Sequence, residues 1–272
     1  MRCLYCMDET IKLLAQQMVK KIDRKIRHEL KTNFVKMGRT IGLGADGTFT
    51  KVIDKLAEDI AVKTLKKAPV KVNLLSEEAG FIDNDAEYTF ILDPVDGTRN
   101  AYRGIPFFSV SLAVGRHVLS DVEYGIVKNV ATGDLYIAEA GMGAFFNKNH
   151  VLVPDVPPQD SLYSISFGKQ CEDATISMIK NSVVRSLGAA SLEMCLVGIG
   201  ALDAYIVGRE YMRITDIAAS TLFLREAGGI VTDLNGDSLD MALSLDDRTS
   251  VIATGNTQLL NKLLSAYSKQ KL

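Results

Sequence analysis

The spacing of apolar residues changes part-way along the chain, and this change constrains the fold more than any other feature. Up to about residue 155, the pattern predicts two helices followed by a run of short strands. Beyond that point, helical and strand patterns alternate. The first order is typical of an α+β unit with helices on a largely antiparallel sheet, and the second is typical of an α/β unit.

Prolines mark the boundary between the two patterns. Pro154, Pro157 and Pro158 interrupt the chain where the pattern changes, and proline is a strong break signal. We therefore expect two halves, residues 1–155 and 156–272. The predicted helices are 11–30, 53–65, 173–180, 189–200, 217–227 and 258–267, and the predicted strands are 70–74, 90–92, 108–114, 122–127, 135–138, 162–167, 183–184, 204–207, 230–232 and 251–254.

The composition excludes several classes of protein. The formal net charge is −2 and no block of Lys and Arg occurs, which argues against a nucleic-acid partner. The most apolar stretch, residues 195–208, is interrupted by Asp203 and is too short to span a bilayer, and the N-terminus lacks the apolar core of a signal peptide. We therefore expect no membrane partner and a cytoplasmic location.

Two of the four cysteines, Cys3 and Cys6, form a CxxC pair. A lone CxxC is weak evidence for a zinc or redox site. No second pair and no nearby His accompany it, so we assign it no function. Because Met7 and the residues after it are typical of a natural start with a helix cap, residues 1–6 are expected to be an extension.

The segment from Asp93 to Thr98 combines two carboxylates, a proline, a glycine and a hydroxyl directly after the apolar run 90–92. Gly97 permits a tight turn, and Thr98 can cap a helix that follows. Carboxylate oxygens suit Mg²⁺, and backbone N–H groups at a helix start suit phosphate. An Asp-Pro and Asp-Gly pair also occurs in ordinary surface turns, so the segment alone leaves both interpretations open.

Further acidic residues lie at the ends of predicted elements. Glu77 and Glu78 follow a predicted strand, as Asp93 does. If the two strands are neighbours, several carboxylates crowd one edge of the sheet, which is unfavourable without a cation. Asp216 lies at a helix start and is followed by small residues that allow close packing. Taken alone, the Glu pair can be solvated loop charge and Asp216 a plain N-cap.

Residues 42–47 spell the pattern GxGxxG. A dinucleotide-binding fingerprint requires a strand before it and a helix that opens on it. Here a long amphipathic helix precedes the glycines. We therefore favour a mobile loop between helices, or a lid over an active site, instead of a nucleotide site.

Together these motifs resemble the inositol monophosphatase family, a lithium-sensitive type of phosphatase superfamily that includes fructose-1,6-bisphosphatases. Glu77-Glu78, the segment 93–98 and the segment 216–219 have the order and approximate spacing of that family, and the resemblance spans nearly the whole chain. The stretches 50–54 and 213–220 look most like the archaeal members, which often act on both inositol monophosphate and fructose 1,6-bisphosphate. Thr215 stands where most members carry Trp, and the archaeal branch commonly lacks that Trp.

The resemblance implies a five-layered αβαβα sandwich with its site between two halves, and usually a homodimer. It also implies a phosphomonoesterase that acts on a small phosphate ester with two or three Mg²⁺ ions per site, for which Mn²⁺ is a possible substitute. The loop that holds Asp46 can supply a further, weaker metal contact in this family. The implied metal ligands are Glu77, Asp93, the backbone carbonyl of Val95, Asp96 and Asp216.

The same resemblance implies the catalytic groups. Thr98 and Asp54 look like the pair that orients the attacking water, and Glu77 would also contact that water. The phosphate-binding residues would be Asp96, Gly97 and Thr98, with N–H groups at a helix start.

Two arginines are candidates for substrate binding. Arg209 stands seven residues before Asp216, where family members read sugar hydroxyls or a second phosphate. Arginine suits bidentate contact with phosphate, so we expect Arg209 to accommodate a second anionic group, and Arg185 is a weaker candidate. Both can also be surface arginines, and Arg99, directly after Thr98, is expected to point into solvent.

Two alternative functions remain. A nucleotide phosphatase acting on NADP or 3′-phosphoadenosine phosphates would use the same metal chemistry, and a cleft with aromatic walls, for which Tyr102 and Tyr211 are candidates, would favour it. A metal-binding or sugar-phosphate-binding protein without catalysis would lack a metal ligand or the threonine. Because the implied residues are all present, we favour the enzyme.

Overall fold

The structure is a computed structural model that describes residues 7–45, 47–154, 160–167, 173–180 and 182–269. Cys3, Cys6, Asp46, Pro157 and Pro158 lie outside the described residues. The helices are α1 (Glu9–Thr32), α2 (Phe34–Met37), α3 (Val52–Leu65), α4 (Thr98–Arg103), α5 (Asp173–Met178), α6 (Ala190–Gly198), α7 (Ile214–Glu226) and α8 (Thr257–Ser268), with a 3₁₀ turn at Leu119–Asp121. The strands are β1 (Thr40–Leu43), β2 (Phe49–Lys51), β3 (Asn73–Ser76), β4 (Gly80–Ile82), β5 (Thr89–Asp96), β6 (Ser109–Gly115), β7 (Tyr124–Asn129), β8 (Leu135–Glu139), β9 (Gly143–Phe146), β10 (Asn149–Val151), β11 (Leu162–Ser166), β12 (Val183–Arg185), β13 (Ala204–Met212), β14 (Ile230–Thr232) and β15 (Thr249–Thr254).

Two large sheets form the frame of the molecule. The first has eight strands in the order β10-β9-β8-β7-β6-β5-β3-β4, and its neighbours are antiparallel except for β3 and β5, which run parallel. The second has five strands in the order β12-β11-β13-β15-β14, with β12, β11 and β13 parallel. The largely antiparallel sheet and the later helix–strand alternation both follow the sequence pattern.

Helices cover both faces of both sheets and give five layers. α1 and α3 pack on the outer face of the eight-stranded sheet, α6 and α7 lie between the two sheets, and α5 and α8 cover the outer face of the five-stranded sheet. The predicted αβαβα sandwich is confirmed.

Side chains of β5 alternate between two apolar clusters, one on each face of the eight-stranded sheet. Phe90 and Leu92 belong to the apolar cluster with α1 and α3, whereas Ile91 belongs to the cluster with α6 and α7. Successive side chains of a strand point to opposite faces, so the apolar run Phe90 to Leu92 covers both faces of the sheet. All eight residues of β5 are buried.

α7 packs so closely on the eight-stranded sheet that one strand position has no room for a side chain. A Cβ on Gly125 in β7 would lie 2.9 Å from the carbonyl oxygen of Ala219. The small residues after Asp216 permit this approach, as the sequence suggested. Because α7 comes from the later part of the chain and covers the sheet of the first part, the proposed halves share a core, and the boundary near residue 155 stays a prediction.

β5 extends further than the sequence suggested. The prediction ends this strand at Leu92, but β5 runs to Asp96, and its register with β6 shifts between Asp93 and Asp96. The extra residue on β5 makes a bulge, which bends a strand and redirects its side chains. Asp and Pro are depleted in strands, which is why the pattern alone stops too early.

The glycine-rich segment after α1 is more ordered than the predicted loop. β1 and β2 form a two-stranded antiparallel ribbon that leads directly into α3. In the described part of residues 42–47 no helix begins, so the segment lacks the helix that a dinucleotide fingerprint requires.

α1 is 24 residues long and buries one face against the sheet while Lys and Arg side chains lie between its buried positions. Across the described ranges, neither α1 nor another helix has both the length and the apolar character needed to cross a membrane.

A buried carboxylate links α3 to the end of β3. Glu58 is 1% exposed, and its Oε2 accepts a hydrogen bond from the Ser76 hydroxyl. No described residue forms a hydrogen bond with its Oε1. Burial raises the pKa of Glu58 to about 7, although the Ser76 hydrogen bond acts in the opposite direction. The folded protein therefore keeps this proton over a pH range in which the unfolded chain loses it.

Replacing Glu58 by Gln should change how stability depends on pH. As the pH rises from 4.5 towards about 7, the unfolded state releases the proton first, so the free energy of unfolding of the wild type falls. This difference in the pKa of Glu58 between the folded and unfolded states changes the free energy of unfolding by about 3 kcal/mol at most. We expect Glu58→Gln to gain stability relative to the wild type between about pH 5 and about pH 8, measured by urea unfolding with a chelator present.

The matched control is Glu87→Gln, because the Glu87 side chain is 69% exposed. This variant should keep a constant difference from the wild type across the same pH range. If the stability difference between Glu58→Gln and the wild type were as constant over pH as that of Glu87→Gln, protonation of Glu58 would not contribute to the pH dependence of stability.

Candidate active site

The parallel pairing of β3 and β5 brings two acidic residues to one edge of the large sheet. Ser76, the last residue of β3, pairs with Leu92 of β5, so Glu77 and Asp93 follow at neighbouring positions. The condition stated for crowding of the carboxylates, that these two strands are neighbours, is met. The site therefore begins where β3 ends and where the bulge of β5 begins beside it.

Asp216 reaches the same place from the later part of the chain. It lies in the first turn of α7. Glu77, Asp93 and Asp216 each offer a carboxylate oxygen within 4.8 Å of the others. Three of the residues predicted as metal ligands therefore come together: Glu77 follows β3, Asp93 lies in β5 at its bulge, and Asp216 lies in the first turn of α7.

These carboxylates are buried and repel one another. Burial raises the pKa of Glu77 and that of Asp93 well above their usual values, and neighbouring carboxylates raise them further. Such crowding is unfavourable unless protons or cations compensate it. A compact group of carboxylate oxygens fits a hard divalent cation such as Mg²⁺.

Arg213 supplies a positive charge at this cluster, and the sequence analysis gave it no role. Its Nη2 lies 2.5 Å from Glu77 Oε1 and 2.8 Å from Asp216 Oδ1, and its Nε lies 3.2 Å from Asp216 Oδ2. The two carboxylates raise the pKa of Arg213 further above its ordinary value, although burial opposes them. Nothing in the local sequence reveals the Glu77 contact, because it joins residues far apart in the chain.

Asp96 lies beside the cluster, but the start of α6 holds its carboxylate. Oδ1 accepts a hydrogen bond from Ala190 N (3.2 Å), and Oδ2 accepts from the backbone N–H (2.9 Å) and the hydroxyl (2.5 Å) of Ser191. Burial nevertheless raises the pKa of Asp96 to about 7. Asp96 is not part of the three-carboxylate group among the described residues, and its roles in metal and phosphate binding stay predictions.

Gly97 makes the turn from β5 into α4. Its φ of +83° is in the left-handed region, and a Cβ there would lie 3.1 Å from the carbonyl oxygens of Phe107 and Gly188. A residue with a side chain would be strained at this position.

Thr98 does not cap α4, contrary to the expectation from its sequence position. α4 begins at Thr98 with Gly97 as its N-cap, and the hydroxyl lies 2.9 Å from both Asp54 Oδ1 and the carbonyl oxygen of Val95. A hydroxyl has one proton, so it can donate to only one of these oxygens at a time.

Asp54 decides which of the two bonds Thr98 makes. Its other oxygen, Oδ2, accepts the backbone N–H of Lys51 at 2.9 Å, and burial raises the pKa of Asp54 to about 7. An ionised Asp54 accepts the Thr98 proton. A protonated Asp54 donates to Thr98, which is then free to donate to Val95. The predicted contact between Thr98 and Asp54 exists, and its catalytic role stays a prediction.

A cavity of about 350 Å³ adjoins the carboxylates, since Asp96 and Asp216 line it. Thr48 from the β1–β2 ribbon also lines it, and Thr50 of the same ribbon donates a hydrogen bond to Glu78. The ribbon therefore reaches the edge of the site, where the sequence analysis allowed a lid.

The arginines predicted to bind substrate lie in different surroundings. Arg209 lies where the register between β13 and β15 shifts, between Val207 and Met212. Arg185 ends β12, is exposed, and donates from Nη1 to the Val184 carbonyl at 2.9 Å. Neither is among the residues that line the cavity, whereas Arg248 is. Arg209 and Arg185 stay predictions.

Glu193 is another residue that the sequence analysis missed. It is 1% exposed, it lines the cavity, and its carboxylate accepts the backbone N–H groups of Leu187 (3.0 Å) and Ala189 (3.1 Å). These bonds hold the loop before α6, whose first N–H groups bind Asp96. The residue three positions before Glu193 is Ala190, so the segment lacks the Ser/Thr-x-x-Glu capping box that could have identified it.

Comparison with known proteins decides the family. The sequence pattern of the inositol monophosphatase family matches residues 7–271. This chain belongs to the inositol monophosphatase family. The fructose-1,6-bisphosphatase/inositol-1-monophosphatase of Methanothermobacter thermautotrophicus is 39% identical over 267 residues, which cover 92% of this chain and 94% of that protein.

Two further family relatives extend the comparison. The bifunctional NADP phosphatase/NAD kinase of Methanococcus maripaludis is 36% identical over 281 residues, and the match covers 94% of this chain but 49% of that protein. The chain thus spans about half the length of that relative. A solved structure from Pyrococcus horikoshii, described as similar to inositol-1 monophosphatase, matches with a TM-score of 0.82 and 33% identity over 95% of this chain and 98% of that one.

Membership of the inositol monophosphatase family confirms the resemblance seen in the sequence. It also confirms the fold and the enzyme class, a phosphoric monoester hydrolase.

Asp54 gives this site a testable pH dependence. If the ionised form is the one that orients Thr98, phosphate release should decline as the pH falls through the pKa of Asp54, at or below about 7. Asp54→Asn should remove this decline at low pH and lower kcat by about 100-fold or more, because Asn cannot accept a proton. The measurement is a kcat profile over pH at saturating Mg²⁺.

Asp59→Asn is the matched control, since Asp59 lies on the same helix and forms a surface ion pair with Lys55. It should retain the wild-type profile. An Asp54→Asn variant with the wild-type kcat and the same decline at low pH would exclude Asp54 from the reaction.

Proposed function

We propose that this protein is a Mg²⁺-dependent phosphomonoesterase that hydrolyses inositol monophosphate and fructose 1,6-bisphosphate. The observation that carries the proposal is the convergence of Glu77, Asp93 and Asp216 within 4.8 Å beside a cavity large enough for a small sugar phosphate. The relative from M. thermautotrophicus, named for both activities, supports the choice of substrates.

The acidic cluster is the proposed metal centre. Glu77, Asp93 and Asp216 would hold the ions, and Asp96 and the carbonyl of Val95 would complete the set, for two or three Mg²⁺ or Mn²⁺ ions. Bound ions would activate the attacking water and neutralise charge on the phosphate. The chain itself must then bind the phosphate, orient the water and accept a proton.

Residues around the start of α4 perform these steps. The Thr98 hydroxyl donates to ionised Asp54, so its lone pairs are available to accept a hydrogen bond from the attacking water. Asp54 fixes this direction and, with Thr98, provides a path for the water's proton. The backbone N–H groups of Gly97 and Thr98 lie at the start of α4, where helix N–H groups lack partners within the helix, and they would bind the phosphate oxygens.

Arg248 is the proposed contact for a second phosphate. It lines the cavity, and its Nη1 donates to the carbonyl oxygens of Leu245 (2.5 Å) and Asp247 (2.9 Å). These bonds hold the guanidinium in place, and arginine suits bidentate contact with phosphate. Arg209 keeps its predicted role as an alternative contact, and Arg185 as a weaker one.

NADP is a second candidate substrate, because aromatic side chains line the cavity. Tyr205 and Tyr211 both contribute to the lining, and Tyr211 donates a hydrogen bond to Ser166. Tyr102, the other predicted wall, is not among the lining residues, and Lys51 Nζ lies 5.6 Å from its ring centroid. The relative from M. maripaludis is named as an NADP phosphatase, and the cavity residues allow the same activity here.

The homodimer implied by the family and the cytoplasmic location expected from the composition also stay predictions. Sedimentation velocity of the purified protein would measure the oligomeric state directly.

Replacing Asp93 by Asn tests the proposed metal centre. The variant loses one carboxylate charge at the centre of the cluster, so Mg²⁺ binding should weaken and phosphate release should fall by about a thousandfold. The fold should persist, since Asn has nearly the same size. The measurements are phosphate release over a Mg²⁺ titration and circular dichroism, with Asp85→Asn, whose side chain is fully exposed at 100%, as the control. Wild-type activity in Asp93→Asn would refute the metal centre.

Replacing Arg248 by Gln tests the second-phosphate contact. We expect kcat/KM for fructose 1,6-bisphosphate to fall by about 10- to 100-fold, the usual effect of losing a charged hydrogen bond. The value for inositol 1-phosphate should change little, because that substrate has a single phosphate. Arg209→Gln and Arg185→Gln, assayed in parallel, compare the three arginines, and a selective loss in one of those variants instead of Arg248→Gln would reassign the contact.

A further inference from the structure

Arg213 occupies an unusual place for a cation. Its guanidinium bridges Glu77 and Asp216, which are two of the three clustered carboxylates. The side chain is 19% exposed, and those of Glu77 and Asp216 are 14% and 9% exposed. The charge of Arg213 therefore acts in a setting where solvent screens it poorly.

The guanidinium contacts oxygens of two of the three carboxylates that a metal ion would need. Nη2 contacts Glu77 Oε1 at 2.5 Å and Asp216 Oδ1 at 2.8 Å. A guanidinium carries five N–H donors and no lone pair, so Arg213 cannot act as a ligand to a cation. A divalent ion that approaches these two carboxylates meets a fixed positive charge and competes with it.

The side chain of Arg213 has a role separate from that of its backbone. The backbone N–H of Arg213 donates to Asp216 Oδ2 at 2.8 Å and thereby supports the first turn of α7. A substitution of the side chain leaves that bond in place. The bridge to Glu77 adds nothing to the helix start, so it needs another explanation.

We propose that Arg213 is a built-in counter-ion of the acidic cluster, which stabilises the protein without metal and lowers its affinity for divalent cations. This inference rests on the proposed metal centre and concerns its regulation. Arg213 is a positioning residue in this account. Its side chain keeps Glu77 and Asp216 close together until a divalent ion binds and neutralises part of their negative charge.

The test compares the wild type with Arg213→Met, which keeps the length of the side chain but loses its charge. The matched control is Arg116→Met. Arg116 also bridges two carboxylates, Glu87 and Glu123, but these are not part of the three-carboxylate cluster. Calorimetric titration with Mg²⁺ and with Mn²⁺ alone gives the dissociation constants, and thermal melting with chelator or with saturating Mg²⁺ gives the stability.

We expect Arg213→Met to bind the first Mg²⁺ ion about tenfold more tightly than the wild type, because one nearby positive charge is gone. Its melting temperature should fall by several degrees with chelator, and saturating Mg²⁺ should recover most of that loss. Arg116→Met should leave the Mg²⁺ dissociation constant unchanged.

Two results would overturn the inference. One is weaker Mg²⁺ binding by Arg213→Met, which would make Arg213 a support for the metal site. The other is an equal drop in melting temperature with and without Mg²⁺, which would make its role purely structural. A wild type that binds neither Mg²⁺ nor Mn²⁺ is a different result, because it would refute the proposed metal centre itself.

A conservative variant covers the case in which Arg213→Met does not fold without metal. Arg213→Lys keeps the charge but replaces the planar fork by a compact ammonium, so the fold should persist. Lysine should bridge the two carboxylates less well, and we expect Mg²⁺ to bind a few-fold more tightly. Unchanged or weaker binding in Arg213→Lys would contradict competition between the side chain and the ion.

Discussion

The parallel pairing of β3 with β5, inside a sheet whose other pairs are antiparallel, determines where the chemistry can occur. The chain turns from β3 into β4 at the edge of the sheet and then returns on the other side of β3 as β5. Glu77, which follows the end of β3, consequently lies beside Asp93, which lies in β5 where its bulge begins. α7 then needs only to present Asp216 there to complete the cluster. The large sheet and the helices that cover it hold this single juxtaposition in place.

The carboxylates of the site differ in their partners, and these partners affect the charge that each carboxylate carries. The N–H groups at the start of α6 hold Asp96, the hydroxyl of Thr98 meets Asp54, and Arg213 neutralises part of the charge on Glu77 and Asp216. Burial raises the pKa of Asp54 and of Asp96 to about 7 in spite of these bonds. Protons and cations are therefore alternative ways to compensate the same buried charge.

Much of the fold and part of the site could be predicted from the sequence because the signals are local. Apolar periodicity identified the long helices and most of the strands, and the order of acidic motifs identified Glu77, Asp93 and Asp216. The periodicity did not predict the short strands β1, β2, β4, β9 and β10. The bulge that extends β5 to Asp96 could not be predicted, because pairing with β6 overrides the low strand propensity of Asp and Pro. The bridge from Arg213 to Glu77 and the place of Arg248 in the cavity could not be predicted either, because they depend on contacts between residues far apart in the sequence.

The position of α7 between the two sheets has a consequence for how the protein is made. During synthesis, the eight strands of the large sheet emerge before α7, and until that helix arrives the inner face of the sheet, with Ile91 and Val127, lacks its cover. In a nascent chain this apolar face of the sheet therefore stays exposed to aggregation until the last quarter of the polypeptide has left the ribosome. Asp216 arrives on the same helix that covers this face of the sheet. A chain that ends before α7 therefore holds only Glu77 and Asp93 of the acidic cluster.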